Sequence, residues 1–193
     1  MNYFISTGEL SGDLHASYIV EKIKNLDKNA KVYAIGGMNL KKQDVEIVRD
    51  IDSLAIMGFV EVVKNFNFLK KVLEETVEFI LSNNIDRVVL VDYGGFNLKL
   101  LERLKLKKPS LKITYYIPPK VWIWGKKRVP KIAKADEILV IFFWVVDFYK
   151  KENVKALYFG NPFMEKYEKI TKKGDNILLL PGSRKQEITK LLP

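Results

Sequence analysis

Two carboxylates stand where an α/β chain could use them. Glu9 follows the apolar stretch Tyr3-Phe4-Ile5 by a few residues and meets the start of a helical pattern, and Asp92 closes the run Val88-Val89-Leu90-Val91. Ligands of open α/β sheets bind outside the carboxyl ends of the strands, so both positions are candidate site positions. A carboxylate at the end of a fully apolar strand is partly desolvated, which raises its basicity and suits a general base. The alternative for Asp92 is a turn-forming residue bonded to its own backbone. Glu9 has two readings as well. It favours the dipole of the helix that follows, or it receives a hydroxyl-bearing ligand. It argues against phosphate in this loop, since it would repel an anion that the helix end attracts. The Gly8–Gly12 spacing is not a dinucleotide fingerprint. After Asp92, Gly94 and Gly95 permit close backbone approach, and Asn97 is expected to cap the next helix. A third strand end carries "IPPKVWIWG" (residues 117–125). Further on, Arg184 in "PGSR" follows another strand-like run, where a Gly-Ser turn makes an anion site.

The elements needed to hold these residues are legible. Strands are expected at residues 3–6, 31–35, 46–48, 87–91, 111–116, 137–141, 156–159 and 176–180. Runs such as "RVVLVD" and "EILVIF" are continuous rather than alternating, as in strands covered on both faces. Residues 12–26 place Ala16, Ile19, Ile23 and Leu26 on one helical stripe. The repeating βα pattern predicts a doubly wound parallel α/β sheet, Rossmann-like in kind. "TKKGDN" (residues 171–176) reads as a polar linker. The division expected is a domain over 1–170, then a linker and the first strand, turn and helix of a second α/β domain over 171–193.

Composition narrows the function. The 193 residues hold no cysteine and one histidine, His15, which leaves neither disulfides nor a thiolate or histidine-rich metal site. The longest apolar run, "ILVIFFWVV" (residues 138–146), is about half of the roughly 18 residues of a membrane span. No secretory leader is recognisable at the start, and the lack of cysteine fits a cytoplasmic protein. The net charge of +10 points to nucleic acid or an anionic lipid surface as partner, or to solvated lysine-rich faces alone. No nucleic-acid signature accompanies the densest basic segment, residues 125–134. The segment over residues 59–81 mixes aromatics and lysines, and suits either a bilayer interface or a helix packed on the sheet.

Taken in order, "GELSGD" (8–13), "LAIMGFVEVV" (54–63), "VDYGGFNL" (91–98), "YYIPPKVWIWGKKRVPKI" (115–132), "GNP" (160–162) and "LLPGSRKQEI" (179–188) resemble the lipid-A-disaccharide synthase family. The likeness runs through essentially the whole chain. It implies the N-terminal half of a two-domain GT-B glycosyltransferase that works without cofactor or metal. Such an enzyme is peripheral to the inner membrane on the cytoplasmic side. It moves 2,3-diacylglucosamine from UDP to the 6-hydroxyl of 2,3-diacylglucosamine 1-phosphate (lipid X), with inversion, giving the β-1,6 disaccharide of lipid A. The partners implied are lipid X, UDP-2,3-diacylglucosamine and an anionic membrane surface, with no nucleic acid; an oligomer is compatible with all of this. By the same resemblance Asp92 is the base and Glu9 an acceptor-side partner. Ser11, Met57, Asn97, Trp122, Arg128 and Arg184 are candidate substrate-binding residues. The chain departs from the family pattern at Phe143-Trp144-Val145, at Asn161, and at Pro118, Lys120 and Gly125. Two other classes compete: a non-catalytic Rossmann-like module on anionic lipid or nucleic acid, and a flavodoxin-like enzyme. Salt-dependent DNA binding or a flavin spectrum would mark them.

Overall fold

A computed structural model describes residues 1–55, 66–123, 125–166, 174–175, 177–180, 188–189 and 191. Met57, Trp124 and Arg184 lie outside the described residues, as do residues 59–65 of the 59–81 segment. In chain order the elements are β1 (Asn2–Ser6), α1 (Leu10–Leu26), β2 (Lys31–Gly36), α2 (Met38–Lys41), β3 (Glu46–Asp50), α3 (Asp52–Ala55), α4 (Phe66–Ser82), β4 (Arg87–Val91), α5 (Gly94–Lys107), β5 (Lys112–Tyr116), α6 (Val129–Ile132), β6 (Glu137–Val140), α7 (Phe143–Lys151), β7 (Leu157–Tyr158) and α8 (Phe163–Lys166). The strands form one seven-stranded sheet in the order β3-β2-β1-β4-β5-β6-β7, every pair parallel. The order reverses between β1 and β4, which opens a crevice at their carboxyl ends.

Alternate residues of the central strands feed two cores. Phe4, Ile35, Val88 and Leu90 join a large apolar layer with α4 and α5, whereas Ile5, Ala34, Val89 and Val91 join a smaller one with α1. This is why the strands read as continuous apolar runs: both pleat faces are covered. On α4, Val72, Leu73, Thr76, Val77 and Ile80 make one buried stripe, and Thr76 Oγ1 donates to Val72 O at 2.7 Å rather than meeting the core unpaired. The described part of the 59–81 segment therefore packs on the sheet. Phe68 and Leu69 also rest on this layer, so within 66–82 the sheet-packed reading accounts for the apolar residues.

Seven of the expected strands form, with shifts of one or two residues at their ends, and α1 begins at Leu10, two residues before the expected start. Its buried face runs through Gly12, Asp13, Ala16, Ser17 and Val20, while Leu26 in the last turn is exposed. The eighth strand, expected over 176–180, does not form among its described residues. Ile177, Leu178, Leu179 and Leu180 pair with no strand and are all exposed. A strand needs a neighbouring strand for its backbone hydrogen bonds. No described helix is long and apolar enough to cross a membrane. At the other end, α8 lies back on α1, with Phe163 packed on His15 (ring centroids 4.8 Å apart) and edge-on to Tyr18.

One buried carboxylate ties α1 to the turn after β2. Asp13 Oδ1 accepts from Gly37 N (2.6 Å) and Oδ2 from Asn39 N (2.8 Å), and Asp13 is fully buried. Asp13 closes the "GELSGD" block of the family resemblance, and the structure gives it a structural task. Asp13→Ala should cost about 1–3 kcal/mol in urea unfolding, because it strands two backbone donors. An unchanged midpoint would contradict that task.

Candidate functional site

The crevice at the β1–β4 switch is built around a buried amide. Asn97, on the first turn of α5, is fully buried. Its Oδ1 accepts from Ser6 Oγ at 2.6 Å, and its Nδ2 donates toward the carbonyls of Ser6 (3.2 Å), Val91 (3.2 Å) and Asp92 (2.9 Å). One side chain thus ties the last residue of β1, the last of β4 and the loop that follows. Asn97 was expected to cap the helix and to touch substrate. The cap residue is instead Tyr93, whose carbonyl accepts from Asn97 N at 3.0 Å, and the amide side chain is spent on backbone partners. Asn97 is a positioning residue.

The loop that it holds is strained. Asp92 and Tyr93 both take φ 47°, and Ile117 at the end of β5 takes φ 54°, left-handed conformations that non-glycine residues seldom adopt. Each costs on the order of 1–3 kcal/mol and persists only where its surroundings fix it. Asp92 N donates to Tyr116 O (3.1 Å), and Asp92 O also accepts from Tyr115 Oη (3.0 Å). The ring of Tyr93 stacks on Phe96 with centroids 5.6 Å apart and lies over Gly8, where an added Cβ would sit 2.3 Å from the ring. Gly94 is similarly tight: its Cβ would fall 2.4 Å from Pro119.

Backbone fixed in this way presents the Asp92 side chain to a cavity of about 160 Å³. Ile117, Pro118, Trp122, Phe142 and Val145 supply apolar walls, and Lys120 the one cation among the lining residues. Burial, first, and then the negative charge of Glu9 push the Asp92 carboxyl above the usual carboxylate range. The Tyr93 N–H and Lys120 pull the other way. Glu9 itself is exposed, in extended backbone at the N-cap of α1, and its side chain makes no capping bond. Its charge also reaches Tyr93, whose phenol is raised chiefly by burial. Tyr115 is held well above its ordinary value by burial and then by Asp92.

Of the remaining candidates, Ser11 is exposed on the first turn of α1, two residues beyond Glu9. Trp122 lines the Asp92 cavity; Arg128 is exposed on the short 3-10 turn Lys126–Arg128, and its charge reaches the Tyr115 phenol. Met57 and Arg184 fall outside the described residues. The structure thus brings together Asp92, the charge of Glu9, and Trp122. It adds three residues to which sequence reasoning gave no role at the site, Lys120, Tyr93 and Tyr115. Lys120 stood out only as a departure from a family pattern, and Tyr93 and Tyr115 only as members of the blocks that carry the resemblance.

Fold and crevice together define the class: one Rossmann-like half of a GT-B architecture, with a desolvated carboxylate at the switch point. Two solved structures share the fold. A UDP-GlcNAc 2-epimerase from Neisseria meningitidis, bound to UDP-GlcNAc, superposes with TM-score 0.61 at 10% identity, over 83% of this chain and 46% of that one. MurG from Acinetobacter baumannii gives 0.52 at 11% identity, over 83% and 45%. At the level of sequence, residues 3–193 match the model of the lipid-A-disaccharide synthetase family, and the chain belongs to that family. It is 32% identical over 199 residues to the lipid-A-disaccharide synthase of Coxiella burnetii (strain Dugway 5J108-111), covering 96% of this chain and 52% of the relative. The synthases of Geobacter metallireducens and Persephonella marina are 33% and 34% identical, each over 98% of this chain and 52% of the relative. The chain spans about half the length of these relatives.

The raised Asp92 carboxyl has a thermodynamic consequence. A carboxyl that binds its proton more tightly folded than unfolded makes the folded state lose stability as pH rises from the ordinary aspartate value of 3.8 up through the raised folded value. Asp92→Asn should therefore melt higher than the parent at pH 7, with the gap closing as pH falls toward 3.5. Equal gaps at both pH values would show that burial does not disfavour this charge.

Proposed function

We propose that this chain is the acceptor-side half of an inverting glycosyltransferase of lipid A synthesis. It would move a 2,3-diacylglucosamine unit from UDP to the 6-hydroxyl of 2,3-diacylglucosamine 1-phosphate. The observation that carries the reading is the Asp92 carboxyl, held strained and half-buried at the switch point with the charge of Glu9 beside it. Raised basicity is what a carboxylate needs to draw a proton from a sugar hydroxyl. That hydroxyl oxygen then attacks the anomeric carbon of the donor as the bond to UDP breaks. Inversion requires the base and the departing nucleotide on opposite faces of the sugar, as in inverting glycosidases.

Glu9 has three tasks in this scheme. It accepts a hydrogen bond from the acceptor sugar, and its charge keeps Asp92 basic. It also keeps the diphosphate away from the N-terminus of α1, so UDP is held elsewhere: by residues beyond 170, Arg184 among them, where cations and helix ends ease its departure. The exposed run Ile177–Leu180 supports a second sheet in the complete protein, which that strand would join. The net charge of +10 supports attraction to an anionic membrane surface, where both lipid substrates reside.

In a protein of the relatives' full length, Asp92→Asn should fold and lose about 10²-fold or more in turnover, the scale of a missing general base. Glu9→Gln should lose activity as well. Near-normal turnover of Asp92→Asn would remove the carboxyl from that role.

Residues 1–193 alone should fold, make no disaccharide, and bind UDP no better than about millimolar in calorimetry, since a nucleotide pocket needs walls from several loops. Micromolar UDP binding by this chain would overturn the division of labour.

A further inference from the structure

Among the described residues, a second cavity is larger than the one at Asp92. A cleft of about 600 Å³ opens along α4 and α5, walled by Leu69, Leu73 and Phe96, with Lys70, Lys99 and Arg103 among the residues around it. Tyr93 lines this cleft, and the residue before it, Asp92, lines the smaller cavity. One peptide step therefore separates the candidate base from the mouth of an apolar cleft. The one carboxylate among its lining residues, Glu102, is already bonded to Lys131 (3.0 Å) and Lys134 (3.3 Å). Arg103 pairs with Glu74 at 3.4 Å, just outside the lining, so the lining itself carries three cations to one carboxylate over an apolar interior. That combination fits a single amphiphile with an anionic head and a hydrocarbon tail, and the volume is that of a small-ligand site. A second copy of this chain, at net charge +10, would be repelled.

Gly95 makes the room. It sits in the first turn of α5, it is exposed, and an added Cβ would meet no atom within 4 Å. Its φ is not in the left-handed region either. Neither crowding nor backbone conformation requires glycine there, unlike at Gly94, and glycine weakens a helix. What a side chain at 95 would take up is space in the cleft.

We propose that the α4–α5 cleft holds an acyl chain of the acceptor lipid, with the lipid's phosphate on the surrounding lysines and arginine, and that Gly95 sets the space available to that chain. The proposal rests on the reading of this half as the acceptor side. It places the acceptor's tail on one side of Tyr93 and its reacting hydroxyl on the other, at Asp92.

Calorimetry on the 193-residue chain tests it, with dodecyl phosphate below its micelle threshold and butyl phosphate as the short-chain control. Dodecyl phosphate should bind at least ~10-fold more tightly than butyl phosphate, since only the longer tail buries apolar surface along the cleft. Gly95→Leu should erase that advantage while leaving the melting temperature unchanged or higher, and Gly95→Met is the second variant should the first lose stability. Lys70→Glu should weaken both probes alike. Equal affinity of the parent for the two probes, undiminished dodecyl phosphate binding by a folded Gly95 variant, or indifference of both probes to Lys70→Glu would overturn the proposal. Flotation with phosphatidylglycerol vesicles separates the two sources of a chain. Gly95→Leu should float like the parent; loss of flotation would assign the cleft to bilayer lipid and overturn the acceptor assignment. Alkyl phosphate binding needs no sugar transfer, so a protein of the relatives' full length that binds the probes as expected but transfers nothing contradicts the transferase reading alone.

Discussion

Everything at the site depends on one buried amide. Where the strand order reverses, the last residues of β1 and β4 lie side by side at the carboxyl edge of the sheet. Asn97 reaches them from α5: it accepts the Ser6 hydroxyl and donates toward the carbonyls of Ser6, Val91 and Asp92. A buried polar group left without partners costs about 1–3 kcal/mol, so this network stabilises only as a set. Its result is geometric. It fixes the first turn of α5 against the sheet, and with it the two consecutive left-handed residues that aim Asp92.

That fixed loop explains the electrostatics of the crevice. A freely hydrated aspartate would relax into solvent and titrate as in a peptide. Asp92 is instead half-buried beside apolar walls, with the charge of Glu9 raising its proton affinity and Lys120 moderating it. Charge and strain both act against stability here. Packed elements elsewhere offset them: the α4 and α5 stripes, whose leucines and isoleucines each contribute about 1.5–3 kcal/mol on burial. The protein spends fold stability on a basic carboxylate, which is a reason to look for chemistry at that point.

The scaffold was readable from sequence because both faces of the central strands are covered, which writes them as unbroken apolar runs such as Val88–Val91. The candidate base was readable for a related reason: a lone carboxylate at the end of such a run is conspicuous. The bonds of Asn97 were not legible because its partners are Ser6, 91 residues away, and carbonyls that no sequence pattern marks. Lys120, Tyr93 and Tyr115 were passed over because their roles come from loop geometry. The run 176–180 has the composition of a strand, but composition supplies no neighbour, and its described residues stand exposed and unpaired. Gly95 beside Gly94 shows the same limit. Identical residues in one motif serve a close contact with Pro119 in one case and open space in the other.

The central claim is that Asp92 acts as the base with its proton affinity raised by burial and then by Glu9. The most direct measurement is the pH dependence of kcat/KM for disaccharide synthesis by the protein at its relatives' full length, compared with its Glu9→Gln variant. The acidic limb of such a profile reports the base of the free enzyme. Removing the Glu9 charge takes away a cause that raises the Asp92 carboxyl, so the limb should move to lower pH in the variant. A limb that stays in place, with the variant still active enough to measure, would contradict the account.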